Sequence, residues 1–462
     1  MFELFNPQLF MYCADKQGAG QACLLCGSIL LPGKTDEEKL QQAANTVFRI
    51  NDSLRTRFVE QEEAVYQEYL PFAERRFEVR RFPSREALDD WARVYGTIPL
   101  VLDRKVEGKG LSKQIWQKKK PTAALVRNVI SHNTRMFFTR ARFGALRRKP
   151  CCCELILLEL PDACGAIIKL HHAVADGWSV LLIASQFLRA LRGETPEAYS
   201  YESFVRNEAA YEKTARYQKD AAYEEAEFAR LPEPTWVWPE PAVSLEARRR
   251  TVVLDRALSD SIRSYAEAHA LTPYVMFLTA ICVFMARKMK RDLFYIGSVI
   301  FNRSGVEERN TAGLFVHGVP LLVELPGSTP FTEALEHVRS KAFAGFRHQK
   351  GTVKHQNTGT LLYDLWVSYQ NGTIEPVAEA EIRQYYCNYT GDTAILSIED
   401  RAKDSSFTLQ FDSNVKISDR DADELIGTIQ NVLTKGIQND RLTLSELGSD
   451  GYSRSCSAAA DR

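Results

Sequence analysis

The chain has 462 residues, of which 45% are hydrophobic and 26% charged, and its formal net charge is zero. This size and composition predict an ordinary globular protein with a large core divided into two or three lobes. The start MFELFNPQLFMYC has no basic region followed by an apolar run, and the stretch YVMFLTAICVFMA is shorter than the roughly 20 residues that span a bilayer. We therefore expect a cytoplasmic protein without a secretory signal or membrane span.

Helix and strand signals alternate along the N-terminal half. Thr35 and Glu38 have capping-box spacing and precede apolar residues at helical intervals. Ser84 begins a second predicted helix, SREALDDWARVYG. Strand-like segments are QACLLCGSILL, SLRTRF, AVYQEYL, ELILLEL and GAIIKL, of which the last two form a hairpin around PDACG. A further helix is predicted from Trp178 to a stop at Gly193.

Cysteine is frequent, with 10 residues in the chain. Cys23 and Cys26 form one CxxC pair in an apolar stretch, and no second pair follows at zinc-ribbon spacing. The run from Cys151 to Cys153 opens another apolar segment. Because long cytoplasmic chains usually keep their thiols reduced, we expect buried strand thiols, with neither disulfides nor metal ligands.

The segment 104–149 carries fourteen Lys and Arg residues and a single acid, Glu107. A basic tract can bind nucleic acid or an acidic protein. This one has neither regularly spaced stacking aromatics nor a recognisable nucleic-acid module, so we predict no nucleic-acid binding. We interpret it as a passive surface insertion, with a docking element for an acidic partner or an error in the gene model as alternatives.

The C-terminal half repeats the mixture of helices and strands. A polar helical stretch from Tyr201 to Arg230 leads into the proline-rich LPEPTWVWPEP, where the lobes divide. We predict lobes at 1–196 and 197–448, followed by a disordered tail or linker at 449–462. Strand signals are RTVVLD, LFYIGSVIF, LLYDLWVSYQ, AILSIED and FTLQFD, and helix signals are SDSIRSYAEAHA, 272–286 and the segment capped by Ser418. The pattern favours two similar α+β lobes that face one another.

The stretch IKLHHAVADGWSV, residues 168–180, joins a predicted strand to a predicted helix. Strand ends hold catalytic side chains rigidly while a loop admits substrate, and here the strand end carries His171 and His172. Asp176 supplies a carboxylate that can fix the loop, and Gly177 permits close approach of a ligand. The residue types are equally consistent with two buried core histidines followed by a turn.

HHAVADG, continued by Trp178 and Ser179, resembles the HHxxxDG signature of condensation domains from nonribosomal peptide synthetases, in the superfamily of chloramphenicol acetyltransferase. Other stretches resemble the family's elements in the same order: SLRTRF (53–58), YESFV (201–205), IGSVIFNR (296–303), GLFVHGVPL (313–321) and, more weakly, FRHQ (346–349) and VSYQN (367–371). The resemblance covers nearly the whole chain. It implies two acetyltransferase-like lobes in a V-shaped pseudo-dimer with a tunnel between them.

The resemblance also implies an acyltransferase reaction. An acyl or peptidyl thioester on one carrier protein is joined to the amine of an aminoacyl thioester on another, and the two phosphopantetheine arms enter the tunnel from opposite faces. The domain has no cofactor of its own and no metal. The implied catalytic group is His172, His171, Asp176 and Gly177. Within it His172 acts either as a base or as a group that positions the amine, while His171 anchors the loop.

Structural and tunnel residues are implied in the same way. The resemblance pairs Asp176 with Arg303 across the motif, and Arg55 is a further structural residue. Gly177, Trp178 and Ser179 are expected to line the tunnel. The implied partners are donor and acceptor carrier proteins and an adjacent adenylation domain. We expect a monomer that binds neither nucleic acid nor membrane.

The chain departs from the family pattern at several places. Asn51, Asp52 and Ser53 stand where the family has RHE, and His317 stands where it has asparagine in FVN. The basic tract is an insertion of roughly 40 residues, longer than ordinary loops. These departures leave the substrate preference open.

Several alternatives stay open at the level of sequence. Within the superfamily they are an epimerisation domain, which usually follows Asp-Gly with Val-Ser-Trp-Arg, and a stand-alone acyltransferase that uses coenzyme A. The methionine start and the tail LTLSELGSDGYS suggest the first piece of a synthetase, where a starter domain that attaches a fatty acid would stand. Outside the enzyme class, the alternative is an inactive platform that recruits carrier proteins. A metal enzyme is weakly supported, because His, Cys and Asp recur at no ligand spacing.

Overall fold

The computed structural model describes residues 2–16, 20–61, 64–102, 151–240, 242, 244–351, 362–372, 380–400 and 405–448. The predictions for the basic tract 104–149 and the tail 449–462 lie outside the described residues. The strands are β1 (Phe2–Glu3), β2 (Leu24–Pro32), β3 (Thr56–Gln61), β4 (Ala64–Tyr69), β5 (Val79–Arg81), β6 (Cys153–Glu159), β7 (Ala163–His171), β8 (Ala247–Val253), β9 (Leu293–Ile300), β10 (His317–Glu324), β11 (Leu365–Gln370), β12 (Glu381–Gln384), β13 (Ala394–Glu399) and β14 (Thr408–Asn414).

Helices separate most of these strands. They are α1 (Asn6–Ala14), α2 (Glu37–Ile50), α3 (Arg85–Gly96), α4 (Gly177–Leu191), α5 (Tyr201–Tyr211), α6 (Ala215–Arg230), α7 (Arg256–Ala268), α8 (Pro273–Met289), α9 (Val306–Arg309), α10 (Phe331–Arg347), α11 (Asp419–Gln438) and α12 (Leu444–Gly448).

Two larger sheets organise the chain. The first has the strand order β12-β2-β7-β6-β5, and its central pair β6 and β7 is the predicted hairpin. Because strand side chains alternate between faces, one face packs against α2 and α4, and the other packs against α3. Strand β12 comes from the C-terminal half of the chain and pairs antiparallel with β2. A division at 196/197 therefore does not separate the two sheets.

The second sheet has the order β10-β9-β11-β13-β14-β8. Helices α8, α10 and α11 cover one face and form the largest hydrophobic core of the described chain. Helix α8 is apolar on all sides because it is buried on all sides: every residue from Tyr274 to Met285 is buried. A separate sheet, β1-β4-β3, holds the N-terminus.

Local capping explains where several helices begin. The hydroxyls of Ser84, Thr272 and Ser418 accept backbone N–H bonds in the first turns of α3, α8 and α11, which confirms the predicted starts at Ser84 and Ser418. The predicted Thr35 cap was wrong by one residue, since the Asp36 carboxylate accepts the N–H of Glu38 at 3.2 Å.

The stretch predicted as one polar helix, 201–230, is divided into two. Helix α5 ends at Tyr211, and the Thr214 hydroxyl then accepts the Tyr217 N–H at 3.2 Å, which begins α6. A new N-cap inside a polar stretch breaks the helix because the threonine side chain competes with the helical backbone acceptor.

All nine cysteines that the structure describes are free. Of the five predicted to be buried, Cys23, Cys26, Cys152 and Cys153 are buried, whereas the prediction was wrong for Cys151, which is partly exposed. Burial raises the pKa of Cys26 to about 12. In the described part of the chain no single helix has both the length and the apolar character to cross a bilayer. Only α7 and α8 taken together meet that criterion, and they are bent by 109°.

Candidate active site

Strand β7 places two histidines at its end. The backbone N–H of His171 donates to the carbonyl of Cys152 at 2.8 Å, and the N–H of His172 donates to the carbonyl of Cys23 at 2.7 Å. The side chain of His171 is fully buried, whereas the His172 residue is partly exposed. At this end of the sheet the imidazole of His171 is therefore buried, whereas that of His172 is accessible.

His171 is fixed by its surroundings. Its Nδ1 accepts the backbone N–H of Ala173 at 3.1 Å, so the neutral ring carries its proton on Nε2. Nε2 faces the Asp15 carboxylate at 3.8 Å and makes no hydrogen bond within the described residues. This buried ring orders the loop that follows it and does not reach solvent.

Gln8 supports the same loop from helix α1. Its Nε2 donates to the carbonyl of Ala173 at 3.0 Å and to Oε1 of Gln67 at 3.0 Å, and Gln8 has no exposed surface. Sequence reasoning missed this residue because a glutamine in a short helix is typical of a surface position. The carbonyl beside His172 therefore has a side-chain partner from a distant part of the chain.

Asp176 anchors the other end of the loop. Its carboxylate is the N-cap of α4, where Oδ1 accepts the N–H of Ser179 at 2.9 Å. Oδ2 accepts from Arg303 Nη1 at 2.5 Å, and Oδ1 accepts from Nη2 at 3.2 Å. Both side chains are 0% exposed. The ion pair expected between these residues forms, in a bidentate arrangement that also satisfies the helix terminus.

Arg303 extends this network into the second half of the chain. Its Nε donates to the carbonyl of Glu308 at 3.1 Å, and Nη2 donates to the carbonyls of Thr311 and Gly313. The guanidinium lies 3.9 Å from the Phe315 ring centroid, and the Phe315 N–H donates to Asp176 at 3.1 Å. The buried Asp176–Arg303 pair is therefore one of the contacts that hold the segment 303–315 against the histidine loop.

Opposing effects set the ionisation of Asp176. Burial alone raises the pKa of this carboxyl group, but the charge and hydrogen bonds of Arg303, together with the hydrogen bonds of Ser179, outweigh it. The pKa of Asp176 is consequently below its ordinary value. Asp176 stays charged and paired, which makes it unsuited to exchange protons with His172 near neutral pH.

Ser179 does not line a tunnel, contrary to expectation. It is fully buried, and its hydroxyl oxygen lies 2.8 Å both from Asp176 Oδ1 and from the carbonyl oxygen of Gly313, either of which can accept its single proton. The same hydroxyl accepts the N–H of Gly313 at 3.0 Å. Its position two residues after Gly177 turns it into the inner face of α4, so it belongs to the buried network of Asp176 and Arg303.

Gly177 and Trp178 lie at the surface of the same helix start. A Cβ atom placed on Gly177 would meet nothing within 4 Å, and the residue is exposed. Trp178 is partly buried, with its ring edge-on to Phe301 and its Nε1–H donating to the carbonyl of Arg309 at 2.8 Å. Gly177 therefore leaves free space in the segment that follows the histidines, and Trp178 forms a fixed wall beside it.

His172 is neutral at physiological pH. Burial lowers the pKa of its imidazole, while neighbouring backbone groups and the charge of Asp176 act in the opposite direction without cancelling it. Its Nδ1 has no solvent contact, so the accessible part of the ring is on the side of Nε2. A partly exposed, uncharged imidazole can accept a hydrogen bond or a proton from an amine that approaches it.

Arg55 and the residues before it have structural contacts. The Arg55 guanidinium donates to the carbonyls of Phe48 and Leu70, which ties the end of α2 to the strand end after β4. Asp52, which stands where the family has another residue, accepts the N–H groups of Tyr201 and Glu202 at the start of α5. Sequence reasoning noted Asp52 only as a departure, because a cap supplied from 149 residues away leaves no local signal.

Among the described residues there is no group of three or more His, Cys, Asp or Glu side chains placed to hold a metal ion. The site consists of one accessible imidazole at a strand end, a loop locked by buried polar contacts and a helix start with free space. Such an arrangement can position an amine and assist its attack on a carbonyl group.

Comparison with known proteins identifies the family. A family model for the condensation domain matches residues 161–417, more than half of the chain. Tyrocidine synthase 3 from Brevibacillus parabrevis is 24% identical over 456 residues, which covers 93% of this chain and 6% of that protein. Cyclosporin synthetase simA from Tolypocladium inflatum is 23% identical over 275 residues, covering 57% of this chain and 2% of that protein. The chain thus spans a small fraction of the length of these relatives.

Solved structures show the same fold. The condensation domain from the monacolin K polyketide synthase MokA matches with a TM-score of 0.75 at 15% identity, covering 96% of this chain and 98% of that one. The starter condensation domain of rhizomide synthetase RzmA, in complex with C8-CoA, matches with a TM-score of 0.74 at 14% identity, covering 96% of each chain. The two-lobed mixed α and β architecture is shared. The chain belongs to the condensation-domain family of nonribosomal peptide synthetases, whose members are amide-bond-forming acyltransferases.

Proposed function

We propose that this chain joins a carrier-bound acyl or peptidyl thioester to the amine of a carrier-bound aminoacyl thioester. The observation that carries the proposal is the environment of His172: a neutral, partly exposed imidazole on a loop that buried contacts hold from both ends. A loop fixed in this way keeps the ring in place without help from substrate. The free space at Gly177 supports a path for a thioester arm beside that ring.

The reaction does not need a strong base. The amine nitrogen attacks the thioester carbonyl carbon, a C–N bond forms, the C–S bond breaks, and the proton lost by nitrogen ends on the departing thiol. A free α-amine has a pKa near 8, so deprotonating it at neutral pH costs only about 1 kcal/mol. The lowered pKa of His172 makes it a weak base, which favours a role in orienting the amine and passing its proton onward.

The partners follow from this chemistry. The donor and acceptor would each arrive on the phosphopantetheine arm of a carrier protein, and a tunnel between the lobes would let the arms meet at His172 from opposite faces. Because the matched relatives are much longer synthetases, we propose that an adenylation domain adjoins the carrier that supplies the acceptor. Gly177 and Trp178 are proposed to line the tunnel near the thioester.

Two loaded carrier proteins test the proposal directly. The purified chain is incubated with an acyl-loaded donor and an aminoacyl-loaded acceptor, and intact mass spectrometry follows both carriers. Transfer of the acyl group onto the acceptor supports the proposal, provided that the His172→Ala variant forms at least about 100-fold less product. A stable complex of the chain with a carrier and no product in either protein would instead identify a recruiting platform. A parallel reaction with acyl-coenzyme A as donor detects a coenzyme A-dependent acyltransferase.

A further inference from the structure

Helix α1 contacts the residues on both sides of His172. From the first half of the helix, Gln8 donates its side-chain Nε2 to the carbonyl of Ala173 at 3.0 Å. Asp15 follows the last residue of the helix, and its Oδ1 lies 3.8 Å from Nε2 of His171. His171 and Ala173 are thus both contacted from one helix, and His172 stands between them in the chain. The condensation as proposed above does not use Asp15.

The backbone of His172 is connected to the same helix. Its N–H donates to the carbonyl of Cys23 at 2.7 Å, and the Cys23 thiol in turn donates to the carbonyl of Met11 in α1 at 3.7 Å. The pKa of Cys23 is raised, first by burial and then by the charge of Asp15. Asp15 is therefore close both to the His171 ring and to the residue that binds the His172 backbone.

Gly20 leaves the space in which the Asp15 carboxylate lies. A Cβ atom placed on Gly20, which is buried, would collide with Oδ1 of Asp15, the oxygen that faces His171. A side chain at position 20 would therefore push the carboxylate out of its place. Because the atom to be displaced is at the end of a flexible side chain, this movement costs little in the free energy of unfolding.

The contact between His171 and Ala173 requires one tautomer of the His171 ring. Nδ1 accepts the Ala173 N–H at 3.1 Å, which is possible only when the ring proton is on Nε2. In the other tautomer an N–H on Nδ1 would point at the N–H of Ala173, and two donors would face each other. The hydrogen-bonding group opposite one ring nitrogen determines which tautomer forms.

Asp15 is the charged group opposite Nε2. This nitrogen is buried and has no hydrogen bond to any residue that the structure describes, and a carboxylate can only accept. The side chains of His171 and Asp15 are 0% and 15% exposed, so little water screens the carboxylate charge from the ring. The separation of 3.8 Å is longer than a hydrogen bond, and the carboxylate acts through its charge on the Nε2–H dipole.

We propose that Asp15 is a positioning residue for the condensation. Its carboxylate favours the His171 tautomer protonated on Nε2, this tautomer keeps the bond to Ala173, and that bond keeps the His172 ring in its orientation. A carboxylate opposite one ring nitrogen selects a tautomer in the same way in hydrolytic triads. Asp15 touches no reacting atom. The inference rests on the proposed condensation, in which His172 meets the amine.

Conservative variants of Asp15 test the proposal. An asparagine side chain can donate as well as accept, so Asp15→Asn permits both tautomers of His171. We expect kcat with two loaded carriers to fall about tenfold, with KM for the acceptor carrier within about twofold of the original value. Asp15→Glu should recover most of the rate. Asp90→Asn, at an exposed position on α3, changes the net charge equally and is the matched control. Equal kcat values for the Asp15→Asn variant and the unaltered chain would overturn the proposal.

Gly20→Ala tests the same position without changing any charge. The added methyl group should displace Oδ1 of Asp15 and lower kcat in the same direction as Asp15→Asn, with an unchanged melting temperature. Because both changes remove one interaction, the double variant Gly20→Ala with Asp15→Asn should be no slower than Asp15→Asn alone. Rate losses that multiply in the double variant would mean that Gly20 acts independently of Asp15 and would count against the mechanism.

Nuclear magnetic resonance reads the tautomer without any substrate. In a chain labelled with heavy nitrogen in histidine, protonated and unprotonated ring nitrogens have widely separated shifts. The His171 signals are those absent from the His171→Gln variant or, if that variant does not fold, those that persist when each of the other histidines is replaced by glutamine. We expect the Nε2-protonated form in the unaltered chain and in Asp15→Glu, and a mixture of both tautomers in Asp15→Asn. An unchanged single tautomer in Asp15→Asn would refute the proposal.

The two readouts separate this inference from the condensation itself. If the unaltered chain forms no amide product while Asp15→Asn changes the tautomer, the condensation proposal fails and the control of His171 by Asp15 stands. If product forms normally and Asp15→Asn changes the tautomer but not kcat, the condensation stands and Asp15 has no positioning role in it.

Discussion

The Arg303 guanidinium and the Asp176 carboxylate are paired across 127 residues of chain, and neither side chain has any exposed surface. This pair joins the loop that carries His172 to the segment that leads into β10. The two charges pair with each other, and the carboxylate also accepts an N–H from the first turn of α4. The pair therefore fixes the positions of the two segments and leaves neither charge free for chemistry. Such a pair contributes to the site by holding two parts of the chain in one arrangement.

Removing one partner should destabilise the protein. Arg303→Ala or Asp176→Ala leaves a buried charge uncompensated, and we expect a loss of about 3–5 kcal/mol in the free energy of unfolding, with a lower soluble yield. Urea denaturation measures this loss. The control is Asp412→Ala, which removes a bidentate partner from the more exposed Arg249 and should cost less. An Asp176→Ala variant that kept full stability and lost only turnover would contradict the structural role.

His172 should matter for turnover and not for folding. His172→Ala removes a partly exposed ring without breaking the backbone bond to Cys23, so the melting temperature should change little while product formation falls at least about 100-fold. Differential scanning fluorimetry and single-turnover mass spectrometry check the two parts. A variant that turned over normally would remove His172 from the reaction.

The pH dependence of turnover should follow the lowered pKa of His172. An imidazole whose folded pKa is below the ordinary value of about 6.5 stays neutral to lower pH. After the rate is corrected for protonation of the acceptor amine, whose pKa is near 8, the remaining acid limb should have its midpoint below 6.5. Because the pKa of His172 is lower in the folded state than in the unfolded state, its neutral imidazole contributes to folding stability. This contribution is complete above pH 6.5 and is lost as the pH falls through the folded-state pKa. Single-turnover rates from pH 5 to 8 test the first statement. A midpoint above 6.5 in the limb that remains after the amine correction would contradict it.

Gly177 offers a test of access. Because a Cβ atom there meets nothing, Gly177→Leu should fold normally, and its side chain should occupy the space proposed for the pantetheine arm. We expect loss of condensation with an unchanged melting temperature. Gly391→Leu is the matched control, since this glycine also has no atom within 4 Å of an added Cβ. Full activity of Gly177→Leu would show that no substrate arm passes this position.

Ser179 should behave as a structural residue. Ser179→Ala deletes hydrogen bonds to Asp176 and to both backbone groups of Gly313, so stability should fall by about 1–3 kcal/mol. The rate per folded molecule should stay close to that of the unaltered chain. A change in rate without a change in stability would mean that Ser179 lines the tunnel, as first predicted.

Sequence patterns predicted the long elements well and the short ones poorly. The strands β6 and β7, the buried helix α8 and the start of α3 at Ser84 all have strong local signals. Strands β5 and β12, of three and four residues, have none, because only their distant partners decide that they pair. The Asp36 cap was missed since Thr35 and Asp36 are both good capping residues, and their backbone angles decide between them.

The residues of the candidate site were likewise predicted only in part. The histidines and the Asp176–Arg303 pair could be inferred because a resemblance to a known family identified them. Ser179 was assigned to the wrong side of its helix, since adjacency to Gly177 in sequence does not fix the direction of a side chain. Gln8 was not foreseen, because its role depends on a contact between segments far apart in the chain.

The placement of β12 has a consequence for any attempt to split the molecule. Its four residues cover the outer edge of β2, whose other edge is paired with β7. A fragment ending near residue 196 would lack β12 and would expose the backbone N–H and C=O groups along the edge of the apolar strand β2. Exposed strand edges of this kind pair with strands of other chains and cause aggregation. The N-terminal lobe should therefore aggregate when expressed by itself and become monodisperse when a peptide corresponding to 380–387 is supplied.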